Sequence, residues 1–129
     1  MINTGILNPH INSLLARVRQ TNLLVIADRG FPYWPALETV DISLMDDIPT
    51  VLQVLNAIRP NFAIGEIFMT QEFLTAIPPE VRAPFARATV DIRLNYEAHV
   101  ELKQRVPGAV GLIRTADTIQ YANMILVSA

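Results

Sequence analysis

The feature that most constrains the fold is the uninterrupted apolar run Leu23-Leu24-Val25-Ile26-Ala27. Successive residues of a strand point to opposite faces, so a strand wet on one side alternates apolar with polar. Five apolar residues in a row instead fit a strand buried on both faces, as in a parallel sheet covered by helices. The run stops at Asp28-Arg29-Gly30-Phe31-Pro32, a loop signal. Ligands of open α/β sheets bind just beyond the carboxyl ends of strands, which singles out Asp28.

The rest of the chain alternates in the same style. Asn8-Pro9 reads as a cap and first helical residue, followed by Ile11, Leu14, Leu15 and Val18 at helical spacing. Residues 40–44 read as a short strand. Asp46-Asp47-Ile48-Pro49 then opens a helix carrying Val51, Leu52, Leu55 and Ile58, stopped by Pro60. Residues 63–69 form a strand, and prolines 78, 79 and 84 punctuate a short helix or irregular segment over 81–88. A strand over 89–94 and a helix over 97–105 follow. Pro107-Gly108 turns the chain into two apolar strands, 109–115 and 121–126, expected as a hairpin-like pair. This order predicts an α/β fold: one domain over residues 1–129, layered, with a mostly parallel mixed sheet flanked by helices.

Composition narrows the setting. Of 129 residues, 51% are hydrophobic and 17% charged, and mean hydropathy is +0.32. A small domain has much surface to cover, so this predicts burial between subunits of a homo-oligomer. A membrane-spanning helix is not expected, because no run of about 18 uncharged apolar residues exists. Met1-Ile2-Asn3-Thr4-Gly5 lacks the basic start of a secretory signal, and there is no cysteine. Both fit a cytoplasmic protein without disulfides. Ten scattered Lys and Arg and a net charge of −2 leave no basic footprint for nucleic acid.

Few residues are left for chemistry. The two histidines are far apart and no carboxylates stand at ligand spacing, so no metal site is expected. A glycine-rich phosphate cradle and a nucleophile elbow are absent. His10, beside the first cap, reads as a surface residue. His99 and Lys103 are four apart on one helical face; they are either a solvated face or a pair of ligand-facing donors. Tyr121-Ala122-Asn123 opens the last strand, where residues two apart share a side. A ring, a hydroxyl and an amide presented together suit a polyhydroxylated ligand, although spacing alone favours a turn that closes a strand end. Tyr33 and Trp34 read as interface packing more readily than as a sugar platform.

In order and spacing these residues resemble the D-ribose pyranase and L-fucose mutarotase family along nearly the whole chain. Gly5-Ile6-Leu7-Asn8 is similar to its amino-terminal opening, and the strand ending Asp28-Arg29-Gly30-Phe31-Pro32 to its Asp-Ala-Gly-Leu-Pro loop. Asp41-Ile42-Ser43-Leu44 before Ile48-Pro49, the His99–Lys103 segment, Ile113-Arg114-Thr115 and Tyr121-Ala122-Asn123 complete the match. The Tyr-Ala-Asn form resembles the ribose branch. The resemblance implies a ring-forming oligomer, decameric in typical members, with sugar sites at subunit interfaces. It implies cofactor-free interconversion of the cyclic forms of ribose or a related monosaccharide. Asp28, His99, Lys103, Tyr121, Ala122 and Asn123 would hold the sugar. Apart from the resemblance, His99 and Asp28 remain available as a reduced acid–base pair.

One position departs from the family. Its catalytic histidine lies in a Gly-His-Thr-Asp segment, whereas this chain reads Arg19-Gln20-Thr21-Asn22. Gln20 exchanges hydrogen bonds but no proton at neutral pH. Two functions therefore stand: a mutarotase-type isomerase, or a weakened or inactive monosaccharide-binding oligomer on the same scaffold.

Overall fold

The structure is a computed structural model describing residues 1–129. In chain order the elements are α1 (Pro9–Arg17), β1 (Leu23–Ala27), β2 (Thr39–Asp41), α2 (Val51–Ile58), β3 (Ile64–Thr70), α3 (Gln71–Ala76), α4 (Pro79–Ala88), β4 (Arg93–Glu97), α5 (His99–Arg105), β5 (Gly111–Arg114) and β6 (Met124–Ser128). The six strands form one sheet in the order β2-β5-β1-β6-β3-β4. Strand β1 is parallel to β5, β2 to β5, and β3 to β4, while β6 is antiparallel to both β1 and β3. Five strands thus run one way and only β6 runs against them. The expected mostly parallel mixed sheet flanked by helices is present.

The apolar run of β1 is buried on both sides for a visible reason. Leu24 and Ile26 join a core with Leu14 of α1, Val54 and Leu55 of α2, Phe73 of α3 and Phe85 of α4. Val25 and Ala27 face the opposite layer, where Leu102 and Val106 of the α5 segment pack with Leu112 and Ile125. Four helices cover one face of the sheet and α5 covers the other. No helix is long and apolar enough to cross a membrane.

Local signals place most element starts. The Asn8 carboxamide accepts the N–H groups of His10 and Ile11 at 2.9 and 3.0 Å, and Pro9 needs no partner there. Helix α2 starts later than its Asp-Asp-Ile-Pro lead suggests. Thr50 and Gln53 form a reciprocal capping box, which fixes Val51 as the first helical residue. Residues 44–48 instead fold back on themselves through a Met45–Ile48 bridge.

Two expectations need correction. The last two strands are not a hairpin: β1 lies between them. Their connector crosses the carboxyl end of β1, where the backbone N–H and hydroxyl of Thr115 both donate to the Ala27 carbonyl, at 2.9 and 2.8 Å. The strand expected over 89–94 is β4, shifted to Arg93–Glu97. Helix α4 runs on to Ala88 and closes at Thr89, whose hydroxyl donates to the Phe85 carbonyl at 2.7 Å. Helix α3 had no expectation attached. It follows β3 directly because the Thr70 hydroxyl accepts the Phe73 N–H at 3.2 Å.

Candidate active site

The loop after β1 is shaped by its own first residue. Asp28 Oδ1 accepts the Gly30 N–H at 2.9 Å, a turn that an aspartate makes with the backbone two residues on. From the end of β5, the Arg114 guanidinium donates to the carbonyls of Asp28 and Pro32 at 3.2 and 3.1 Å. Phe31 drops its ring into the α5 layer of the core. The loop is therefore held from its carbonyls and from beneath.

Opposite it runs the connector from β5 to β6. Asp117 is 1% exposed, and its two carboxylate oxygens accept the N–H groups of Val51 and Ile119, both at 2.9 Å. It braces the connector against the first turn of α2. Tyr121 sits at φ 63°, in the left-handed region, and strand β6 begins only at Met124. The picture of Tyr121 and Asn123 side by side on a pleated strand is therefore corrected: both belong to the bend that precedes it. The bend nevertheless turns both toward the loop after β1. Asn123 is 1% exposed, and its carboxamide oxygen accepts the Asp28 N–H at 2.7 Å.

Between loop and connector lies a cavity of about 380 Å³, lined among others by Asp28, Phe31, His99, Asp117, Tyr121 and Asn123. That volume suits a small molecule. His99, the first residue of α5, enters from the side. Its imidazole meets Tyr121 edge to face at 5.5 Å between ring centroids, and Phe31 at 6.2 Å. Its Nδ1 is buried without a hydrogen-bond partner within the chain.

Burial acts on the two titratable groups in opposite directions. It pushes the Asp28 carboxyl up, against the N–H groups of Gly30 and Phe31 and the Asn123 amide, which favour the anion; Asp117 adds a smaller push upward. Burial pulls the His99 imidazole down, helped by the positive charge of Lys103, while Glu72 and Asp28 work the other way. The acid and the base are thus drawn toward each other in proton affinity.

Of the residues expected at a site, the structure gathers Asp28, His99, Tyr121 and Asn123 around one cavity. Ala122 is fully buried in the core. Lys103 lies outside the cavity, in an adjoining groove with Trp34, Val100 and Gln104. Gln20 is elsewhere. It precedes the first residue of β1, whereas Asp28 follows the last, so the length of the strand, about 17 Å, separates their ends of the sheet. Within one chain Gln20 does not reach the cavity. Sequence reasoning missed Phe31 and Asp117. A lone apolar loop residue and a lone aspartate carry no pattern until the fold brings them in. No group of three or more His, Cys, Asp or Glu side chains is arranged to hold a metal ion.

A model of the RbsD / FucU transport protein family matches residues 1–129. The chain belongs to that family. This RbsD / FucU member is 34% identical over 128 residues to a D-ribose pyranase from Geobacillus thermodenitrificans (strain NG80-2), covering 99% of this chain and 96% of the relative. It is 30% identical over 128 residues to a D-ribose pyranase from Streptococcus agalactiae, covering 99% and 97%. Among solved structures, Bacillus subtilis RbsD complexed with D-ribose aligns with a TM-score of 0.90 at 28% identity, covering 100% of this chain and 98% of that one. A fucose mutarotase from Streptococcus pneumoniae, in complex with L-fucose, shares the fold at a TM-score of 0.72 and 16% identity, covering 95% and 92%.

Proposed function

We propose that this chain is a cofactor-free isomerase that interconverts the cyclic forms of a free monosaccharide, ribose or a close relative. The observation that carries the reading is the pairing of the Asp28 carboxyl and the His99 imidazole on one sugar-sized cavity, with Tyr121 beside them. The D-ribose pyranases among the relatives support it.

Ring opening breaks the bond between the anomeric carbon and the ring oxygen. The proton of the anomeric hydroxyl leaves to a base, the carbonyl forms, and the ring oxygen takes a proton from an acid. Asp28 as carboxylate is the base, and His99 as imidazolium is the acid; closure on either face runs the same transfers backward. Each group needs only to pass one proton and regain it. The Tyr121 and Phe31 rings line the cavity and supply walls for the C–H faces of the sugar.

Gln20 belongs to this proposal through a second copy. Remote from the cavity of its own chain, it meets a pocket only across a subunit contact, in the ring-forming, decameric assembly of typical family members. The reading also places the protein in the cytoplasm. Gln20 favours a second possibility, a monosaccharide-binding oligomer with little turnover, because an amide cannot replace an exchanging histidine.

Exchange NMR separates the two. Ribose and a panel of aldoses and deoxysugars are followed with and without protein, for the natural chain and for Gln20→His. Faster exchange than in buffer for at least one sugar supports the isomerase. Saturable binding with exchange at the buffer rate for every sugar overturns it in favour of the binding oligomer.

A further inference from the structure

Helix α5 begins without a cap of its own: Ala98 stands at the capping position and offers no side-chain hydrogen bond. The missing partner comes from another element. Both carboxylate oxygens of Glu72, in the first turn of α3, accept the backbone N–H of His99, at 3.1 and 3.0 Å. Glu72 does not line the cavity. It reaches instead the one backbone group that fixes where the His99 side chain leaves the helix.

We propose that Glu72 is the positioning residue for His99: it anchors the imidazole against Tyr121 and Phe31 and keeps it able to carry a proton. The proposal rests on the isomerase reading for its catalytic consequence, but not for its physical content. The charges facing the imidazole come from three elements. Lys103, on α5 itself, opposes protonation; Asp28, from the loop after β1, and Glu72, from α3, favour it. Burial alone disfavours the imidazolium, so the carboxylates make a protonated acid accessible inside the cavity. A charged acceptor also makes a stronger hydrogen bond than a neutral one, which holds the start of α5 in place.

The test uses the full chain and two substitutions, Glu72→Gln and Glu72→Ala. The amide keeps an oxygen for the His99 N–H and removes the charge; alanine removes both. The chain has two histidines, so the His99 imidazole is titrated by NMR with His10 as the internal reference. The midpoint of His99 is expected to fall in both variants. In exchange assays on ribose, Glu72→Gln moves the alkaline limb of the pH profile to lower pH. Glu72→Ala also lowers the maximal rate, by about tenfold, within the range that a misplaced catalytic group costs. The amide variant is expected to recover part of that loss.

An unchanged His99 midpoint in both folded variants overturns the proposal. Equal rate losses in the two variants with no shift of the limb also overturn it, since that is the signature of a purely structural residue. If the natural chain fails to accelerate exchange, the isomerase reading fails by itself, and the titration still decides whether Glu72 governs His99.

Discussion

The carboxamide of Asn123 and the backbone of Asp28, 95 positions apart, are joined by a hydrogen bond of 2.7 Å at the floor of the cavity. The contact ties the residue before β6 to the end of β1 through a side chain that also lines the cavity. Asn123→Ala leaves the Asp28 N–H buried with no partner. Such an orphan costs about 1–3 kcal/mol, so the urea midpoint is expected to fall by a corresponding amount. Sugar affinity, followed by NMR titration, falls with it. Unchanged stability would show that water or a shifted loop satisfies the donor.

Asp28→Asn is expected to separate stability from turnover. The folded chain holds the Asp28 proton more tightly than the unfolded chain does, because burial penalises the anion. That contribution is full below the unfolded value, near 3.9, and is lost as pH rises through the higher folded value. The amide never ionises and still offers an oxygen to the Gly30 N–H. The variant should therefore melt higher than the natural chain at pH 7, and the gap should shrink toward pH 4. Its exchange rate should drop by about 10²–10⁴-fold, the usual worth of an acid or base.

The pH profile of exchange is expected to be a narrow bell. The acid limb follows ionisation of Asp28, raised by burial, and the alkaline limb follows loss of the His99 proton, lowered by burial and Lys103. Both shifts point inward, so the limbs lie inside the interval from about 3.9 to about 6.5 set by unperturbed side chains. Because the two groups share one cavity, the limbs belong to the pair. Removing the Lys103 charge with Lys103→Met widens the bell on its alkaline side. A profile flat across pH 4–8 would dismiss this pair as the proton carriers.

Gly111→Ala tests the packing beneath the site. A methyl group there meets Leu14 Cδ1 at 2.5 Å and the Glu38 carbonyl oxygen at 3.2 Å. Leu14 is fully buried between α1 and the sheet, so it has little room to move. Overpacking of this kind costs about 1–3 kcal/mol, readable as a lower urea midpoint. The cavity lies at the other end of β5, and sugar affinity should survive in the folded fraction.

The sequence made the scaffold readable wherever a local rule acted alone. The bounds of β1, the Asn8–Pro9 start of α1 and the position of Asp28 at a strand end each follow from a handful of neighbouring residues. Helix α2 was misplaced by the Asp-Asp-Ile-Pro lead because a reciprocal Thr50–Gln53 cap outweighs it. The hairpin expectation failed for a different reason. Two consecutive apolar strands look like partners until β1, far earlier in the chain, takes the place between them. The site divides similarly. Asp28, His99, Tyr121 and Asn123 were visible through their order along the chain. Phe31, Asp117 and Glu72 were not, since what matters in each is which distant backbone or ring it meets.

The single antiparallel strand has a consequence for how the molecule assembles. Strands β2, β5 and β1 form one parallel block and β3 with β4 another, and β6 is the only hydrogen-bonded link between them. Each block gains a hydrogen-bonded partner for its inner strand only when β6 docks between β1 and β3. The residues that lead into β6 are those that close the cavity. Hydrogen exchange in β1, β3 and β6 should therefore report one common opening event. A bound sugar should slow that event throughout the sheet, because any opening that releases β6 dismantles the pocket as well.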